Sequence, residues 1–199
     1  MLTTIEIGDG PFVFSAAHTG LHDGEFEPLH GHTFTVTVRL TGTVHGTGML
    51  TDFHLVKTAL AEVIAPLRRR TLMPGRAREV TCRFEDEQVF IECGSKHFSL
   101  PAADVAVLPL VNTTTEALAG HLLDQLLPML REEAGLSQAA LVLAEAPDTR
   151  ATVTSDLGRD RQVPWLTSAP PPDFAPDSPP DSPSGSAPDS ASRAGQVTR

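Results

Sequence analysis

The sequence predicts an α+β domain in which an antiparallel sheet carries two helices on one face. Three observations lead there. Several stretches alternate β-forming and polar residues with a period of two, most clearly Thr33–Val44; two others carry apolar residues at helical spacing; and the order runs strand, strand, helix, hairpin, helix, strand, strand. Strands joined by short polar loops pair antiparallel, and two amphipathic helices bury their apolar sides against one face of such a sheet.

Each element has its own signal. Thr3–Ile7 and Phe12–His18 alternate as short strands, and Thr33–Val44 places Phe34, Val36, Val38 and Leu40 on one face. Asp52 precedes a helical pattern of Leu55, Ala59, Leu60 and Val63, so it is expected to cap a helix that ends before Pro66. Short strands follow at Val80–Phe84, Val89–Cys93 and Lys96–Leu100, joined by the polar turns Glu85 to Gln88 and Gly94-Ser95; they read as a hairpin insertion, about residues 76–101, between the two helices. Thr113 or Thr114 is expected to cap the second helix, with Glu116 in its first turn and Leu118, Leu122, Leu126 and Leu127 on its apolar side. Strands at Ala139–Ala146 and Arg150–Ser155 close a domain of residues 1–160. From about residue 164 to 199 the composition turns to Pro, Asp, Ser and Ala, which buries too little apolar surface to offset ordering entropy, so a disordered tail is expected, with Trp165 docking locally at its start.

A chain of 199 residues with 40% hydrophobic content is expected to fold as one domain with a sizeable core. The formal net charge of −10 argues against nucleic acid and anionic membranes as partners and favours a small molecule. The N-terminus has neither a basic segment nor an apolar one, and no apolar run approaches the roughly 20 residues that cross a bilayer, so a cytoplasmic protein is expected. Cys82 and Cys93 fall within the expected hairpin and read as buried thiols rather than a disulfide.

Three histidines carry the chemical signal. His30 and His32, in His-Gly-His at the start of the long strand, share the parity of its apolar face and stand about 7 Å apart along it. The loop from Thr19 to Leu29 can return the chain antiparallel and set His18 opposite that pair. Three neutral imidazoles at about 2.0–2.1 Å leave a fourth tetrahedral position open on a zinc ion, the arrangement of zinc sites that do chemistry. On spacing alone, ordinary packed or surface histidines explain the pattern as well.

Five motifs weigh on that choice. Phe14-Ser-Ala-Ala-His18, Leu29-His-Gly-His32, Gly48-Met-Leu-Thr-Asp-Phe53 with Lys57, Asn112-Thr-Thr-Thr-Glu-Ala-Leu118 and Ala144-Glu-Ala-Pro147 occur in one order. Together they resemble the 6-pyruvoyl-tetrahydropterin synthase / 6-carboxytetrahydropterin synthase family over about residues 3–157. The resemblance implies a tunnelling fold (T-fold), a homo-oligomer with active sites at its interfaces, Zn2+ held by His18, His30 and His32, and 7,8-dihydroneopterin triphosphate as substrate. It implies a lyase acting on the substrate's side chain, in queuosine or folate biosynthesis, with a metal that eases proton removal from a hydroxyl carbon. It makes Glu145 the pterin anchor, through a two-pronged hydrogen bond to ring N–H donors, and sets Thr114, Thr115 and Glu116 near the ring. An exposed strand glutamate and helix capping explain those four residues without a ligand.

The chain departs from the resembled family at two places. The position four residues before His30, commonly cysteine, is Phe26, and a common Asp-His pair after the first helix is Arg68-Arg69. Glu27 is the remaining candidate base, with Glu25 and His22 in the same loop; a subgroup that resembles this arrangement uses Glu and is associated with cleavage to 6-hydroxymethyl-7,8-dihydropterin. Arg68, Arg69 and Arg70 read either as a phosphate clamp or as a solvated helix end. The alternative function is a catalytically silent pterin- or zinc-binding member of the family.

Overall fold

In the computed structural model, which describes residues 1–44, 46–130 and 135–157, the alternation read from the sequence becomes a six-stranded sheet. Strand β1 (Leu2–His18) runs antiparallel to β4 (His30–Thr43), from the pair Leu2/Thr43 to the pair His18/His30. A two-strand ribbon, β2 (Leu21–His22) and β3 (Glu25–Phe26), fills the loop between them. Its turn residues Asp23 and Gly24 both have positive φ, 50° and 82°, as a tight hairpin turn matched to strand twist requires. The expected strands Thr3–Ile7 and Phe12–His18 are one strand with a bulge. Gly8 pairs with Thr37 and Val13 with Thr35, so residues 9–12 face Val36 alone. A Cβ at Gly8 would collide with Thr37, and Gly10 takes φ 50°, so glycine at both positions lets the extra residues be absorbed.

Helix α1 (Phe53–Ile64) starts as expected, the Asp52 carboxylate accepting the His54 amide at 2.8 Å, and gives way before Pro66 to a 3-10 turn over Ala65–Leu67. Strand β5 (Thr71–Pro74) then pairs in parallel with β1 through Ala17/Thr71 and His18/Leu72. A separate antiparallel sheet of β6 (Thr81–Glu85), β7 (Gln88–Cys93) and β8 (Lys96–Pro101) follows at the place the hairpin insertion is expected. Strand β9 (Val105–Leu108) joins β5 in parallel. Helix α2 (Thr115–Leu130) and the antiparallel pair β10 (Leu136–Ala146) and β11 (Thr149–Asp156) complete the order β11-β10-β4-β1-β5-β9.

The sheet is thus mixed: four long strands are antiparallel, as the sequence predicts, and two short ones extend them in parallel. Parallel neighbours need a long crossover. Between β5 and β9 the three-stranded insertion supplies it.

One sheet face and both helices enclose the main core. Phe34, Val36, Val38, Leu40, Leu141 and Leu143 from the sheet meet Val56, Leu60 and Ile64 of α1 and Leu118, Leu122 and Leu126 of α2. Burying one such side chain fully is worth about 1.5–3 kcal/mol, which is why the period-two pattern fixes the register of β4. A second cluster, Phe26 with Met73, Val89, Ile91 and Cys93, fastens the β2–β3 ribbon to the insertion. Cys82 and Cys93 are free thiols; Cys93 is buried as expected, whereas Cys82 is only half-buried. No described helix is long and apolar enough to cross a membrane. The expected tail from residue 164 to 199, Trp165 included, lies outside the described residues.

Candidate metal centre and active site

The register of β1 and β4 assembles the histidines. His18 stands directly opposite His30, and His32 lies two residues further along on the same face, opposite Ala16. The three ring centroids form a triangle with sides of 4.6, 5.0 and 5.2 Å. Their ligand atoms all lie within 4.8 Å of one another. Phe34, the next residue of that parity, closes the floor with its ring edge-on to His18 at 5.6 Å and His32 at 5.7 Å, and is itself stacked on Phe14. The cluster grades from buried His18 through half-buried His32 to exposed His30, so one side faces solvent.

Hydrogen bonds decide which nitrogens are free. His18 Nδ1 lies 2.8 Å from the Thr113 carbonyl and His30 Nδ1 lies 2.8 Å from the Pro28 carbonyl. A carbonyl only accepts, so both Nδ1 atoms carry their protons, and in the neutral ring the lone pair is on Nε2. His18 Nε2 is buried with no hydrogen-bond partner. An orphaned buried acceptor facing two other imidazoles fits a divalent cation, and backbone carbonyls holding the opposite ring nitrogens are the usual outer support of metal-ligating histidines. Burial holds the His18 imidazole below the ordinary histidine value, and His30 and His32 add to the lowering, against the Thr113 carbonyl and Glu145, which raise it. Burial thus favours the neutral ring, the form that can hold a metal.

The segment before α2 holds this centre in place. Asn112 pairs with Leu21 as a neighbouring strand would: Oδ1 accepts the Leu21 amide and Nδ2 donates to the Leu21 carbonyl, each at 2.8 Å. Oδ1 also accepts the Thr113 amide at 2.8 Å, and Thr113 Oγ1 donates to the Thr19 carbonyl at 2.9 Å. Thr19 Oγ1 in turn donates to the Glu27 carbonyl at 2.8 Å. Asn112, Thr113 and Thr19 therefore lock the ends of the ribbon and aim the carbonyl that orients His18. None of the three stands out in the sequence as a site residue; the signal lay in the Asn-Thr-Thr-Thr run, whose side chains bond main-chain groups that carry no signature of their own.

The other expected site residues separate into two groups. Glu145 sits at the β10 bulge, where the register shifts between Ala144 and Ala146, and Oε2 accepts a hydrogen bond from buried Thr115 Oγ1. Its charge reaches His18, so it belongs to the same neighbourhood. Thr114 Oγ1 accepts the Ala117 amide at 3.3 Å, a capping role, and Glu116 is exposed in the first turn of α2. Glu27 is exposed, and its carboxylate lies over Gly20, where a Cβ would be 2.9 Å from Oε2. Phe26 is 3% exposed and packs in the second core with Phe98, so the side chain at that position serves packing.

A six-stranded mixed sheet with two helices on one face and a three-imidazole cluster at its end defines a class. The family model described as 6-pyruvoyl tetrahydropterin synthase matches residues 10–156, and the chain belongs to that family. It is 28% identical over 119 residues to a Methanocaldococcus jannaschii protein provisionally named 6-carboxy-5,6,7,8-tetrahydropterin synthase, a match spanning 59% of this chain and 73% of that one. A Pyrococcus abyssi protein with the same provisional name is 29% identical over 136 residues, spanning 68% and 80%. Among solved structures, the 6-pyruvoyl tetrahydropterin synthase of Plasmodium vivax superposes with a TM-score of 0.73 at 25% identity, covering 78% of this chain and 99% of that one. The Plasmodium falciparum enzyme gives 0.74 at 23% identity, covering 78% and 98%.

Proposed function

We propose that this protein is a zinc-dependent lyase of pterin biosynthesis that cleaves or rearranges the side chain of 7,8-dihydroneopterin triphosphate. The observation that carries the reading is the orphaned Nε2 of His18 beside two further imidazoles, one of them also committed through Nδ1 to a backbone carbonyl. When bound there, a divalent ion supplies Lewis-acid polarisation of a side-chain oxygen. His18, His30 and His32 would hold it. Glu145, kept in place by Thr115, accepts the paired N–H donors of the pterin ring, while Thr114, Thr115 and Glu116 at the start of α2 border that ring. Glu27, anchored through its amide on the Gly20 carbonyl at 2.9 Å and its carbonyl on Thr19, removes the side-chain proton. Structures of the Plasmodium vivax synthase include variants of a glutamate described as a catalytic residue, so a catalytic carboxylate has a precedent within the fold.

The protein acts in the cytoplasm as a homo-oligomer with interface active sites; β9 and β11, the outermost strands of the sheet among the described residues, are where further copies extend it. The domain comprises residues 1–160 and the tail 164–199. A second reading, a catalytically silent pterin- or zinc-binding protein, draws on Phe26 and Arg68: the first is sequestered in packing, and the second donates to the Pro11 carbonyl at 3.1 Å. Incubating zinc-loaded protein with the triphosphate and following products by mass spectrometry separates the two. Product formation that Glu27→Gln abolishes supports the lyase; pterin binding with unchanged substrate supports the silent protein.

A further inference from the structure

A cavity of about 640 Å³ on the end of the sheet is lined by Ser15, Thr33, Thr71, Arg69, Arg70 and Asp104, with residue His32 also part of its wall. Ser15 and Thr33 have the strand parity opposite to that of the ligating imidazoles, so the cavity opens chiefly on the sheet face away from the helices and meets the metal centre at His32. Arg69, Arg70 and Asp104 line this wall together with three hydroxyl residues, of which Ser15 and Thr33 hydrogen-bond each other at 3.2 Å.

The arginine run is sorted by its backbone. Arg68 turns toward Pro11, whose carbonyl it occupies. The next two are stitched to β1: the Arg69 amide donates to the Ser15 carbonyl at 2.7 Å, and the Ala17 amide donates to the Arg70 carbonyl at 2.9 Å. Arg69 holds φ at 57°, which turns the chain sharply before β5 begins. Among the described residues, neither the Arg69 nor the Arg70 guanidinium has an ion-pair or hydrogen-bond partner, although Asp104 shares the cavity. Two unpaired guanidiniums on a fixed backbone, beside the Thr71 hydroxyl and the Ser15–Thr33 hydroxyl pair of an open depression, suit several phosphate oxygens at once, through bidentate contacts that neither lysine nor a solvated helix end provides. In a chain of formal charge −10 a polyanion gains little from the general field, so such a ligand depends on a local site of this kind.

We propose that Arg69 and Arg70, with Ser15, Thr33 and Thr71, form a polyphosphate-binding subsite that takes the phosphate tail of the substrate. The assignment of the ligand's source rests on the pterin lyase reading; the binding chemistry does not. Arg69 stands at one position of the acid-base pair common in the resembled family, while Arg68, at the other, turns to Pro11 and lies outside the subsite.

The test is calorimetry of inorganic triphosphate with the full chain freed of metal, so that chelation at the imidazoles contributes no heat. Wild type and Arg68→Gln bind alike, and the double variant Arg69→Gln/Arg70→Gln loses affinity by at least about tenfold, the size expected for removing charge-assisted hydrogen bonds. Raising the salt weakens the wild-type binding. Equal affinity in wild type and the double variant, or an equal loss in Arg68→Gln, overturns the proposal. A second arm compares KM for the phosphorylated and dephosphorylated pterin: a rise in the double variant confined to the phosphorylated form identifies the substrate tail as the ligand, whereas loss of triphosphate binding with both KM values unmoved identifies free polyphosphate in the same subsite. If no pterin turns over, the lyase reading fails while the calorimetry still decides the subsite; circular dichroism of the double variant shows that it is folded.

Discussion

Replacing Asn112 with alanine probes how a residue outside the imidazole cluster sets its geometry. The substitution removes three hydrogen bonds at 2.8 Å and leaves the amide and carbonyl of Leu21 and the amide of Thr113 without that partner. Each such bond is worth about 0.5–1.5 kcal/mol net. Partial solvent access lets water replace some of them, so the expected loss in unfolding free energy is about 2–3 kcal/mol. The Thr113 carbonyl that holds His18 Nδ1 loses one of its two anchors, keeping only the contact through Thr113 Oγ1 to Thr19. Loss of outer-shell support of this kind typically weakens metal binding by about 10–100-fold. Urea unfolding of metal-free protein measures the first quantity, and competition with a chromogenic chelator measures the second. Asn112→Asp, which keeps the acceptor and discards the donor to Leu21, is expected to fall between the two. Should Asn112→Ala unfold within 0.5 kcal/mol of wild type, on the scale of an ordinary surface change, and hold zinc within about twofold, the ribbon is not held as argued.

Three further outcomes follow from local geometry. Gly20→Ala sets a Cβ 2.9 Å from Glu27 Oε2, the flexible end of an exposed side chain, and shifts it; steady-state kinetics are expected to show a lower kcat at unchanged zinc content, with a loss of about tenfold or more in Glu27→Gln, and unaltered kcat in both variants removes Glu27 from the base role. Thr115→Val deprives Glu145 of its hydroxyl donor, and pterin binding measured by fluorescence should weaken by about tenfold while metal content stays the same; unchanged affinity argues that Glu145 does not anchor the ring. Burial holds His18 and His121 below the ordinary value of 6.5. Below pH 6.5, down to their folded values, the unfolded chain binds protons that the folded chain refuses, so unfolding free energy of the metal-free protein decreases as pH falls through this window. Asp124, raised by burial from 3.8, acts in the opposite sense as the pH approaches its own range. Denaturant titrations at several pH values check the slope, and a flat profile contradicts the burial of both rings.

The parts of the fold legible in the sequence are those whose pattern is local. The alternation of Phe34, Val36, Val38 and Leu40 gives β4 its buried face, and the Asp52 carboxylate announces α1. Strands β5 and β9 were not legible. Each has four residues, and β5 is buried at Leu72, Met73 and Pro74 in succession, so period two never shows; what makes them strands is parallel pairing with chain far away in sequence. The Gly8-Asp9-Gly10-Pro11 run reads as a break between strands and is a bulge within one, because the pairing on either side is set by β4. At the site, the parity of His18, His30 and His32 was readable, since opposition across two antiparallel strands follows from alternation. The support from Asn112, Thr113 and Pro28 was not: the Thr113 and Pro28 carbonyls that hold the rings are main-chain groups that every residue possesses, and the Asn112 side chain bonds the main chain of Leu21, far away in sequence. Phe26 was readable as a departure from the resembled motif, but its packing depends on Met73 of β5 and Ile91 of the insertion, both more than 40 residues away in sequence.

X-ray absorption at the zinc edge on zinc-loaded, full-length protein, paired with metal analysis of the same sample, addresses the three-imidazole centre most directly. One ion per chain with three nitrogen scatterers at about 2.0–2.1 Å and a lighter-bound fourth position is the expected result, lost in His30→Ala and His32→Ala. Sulfur scattering from Cys82 or Cys93, or one ion per chain retained after both histidines are removed, contradicts it.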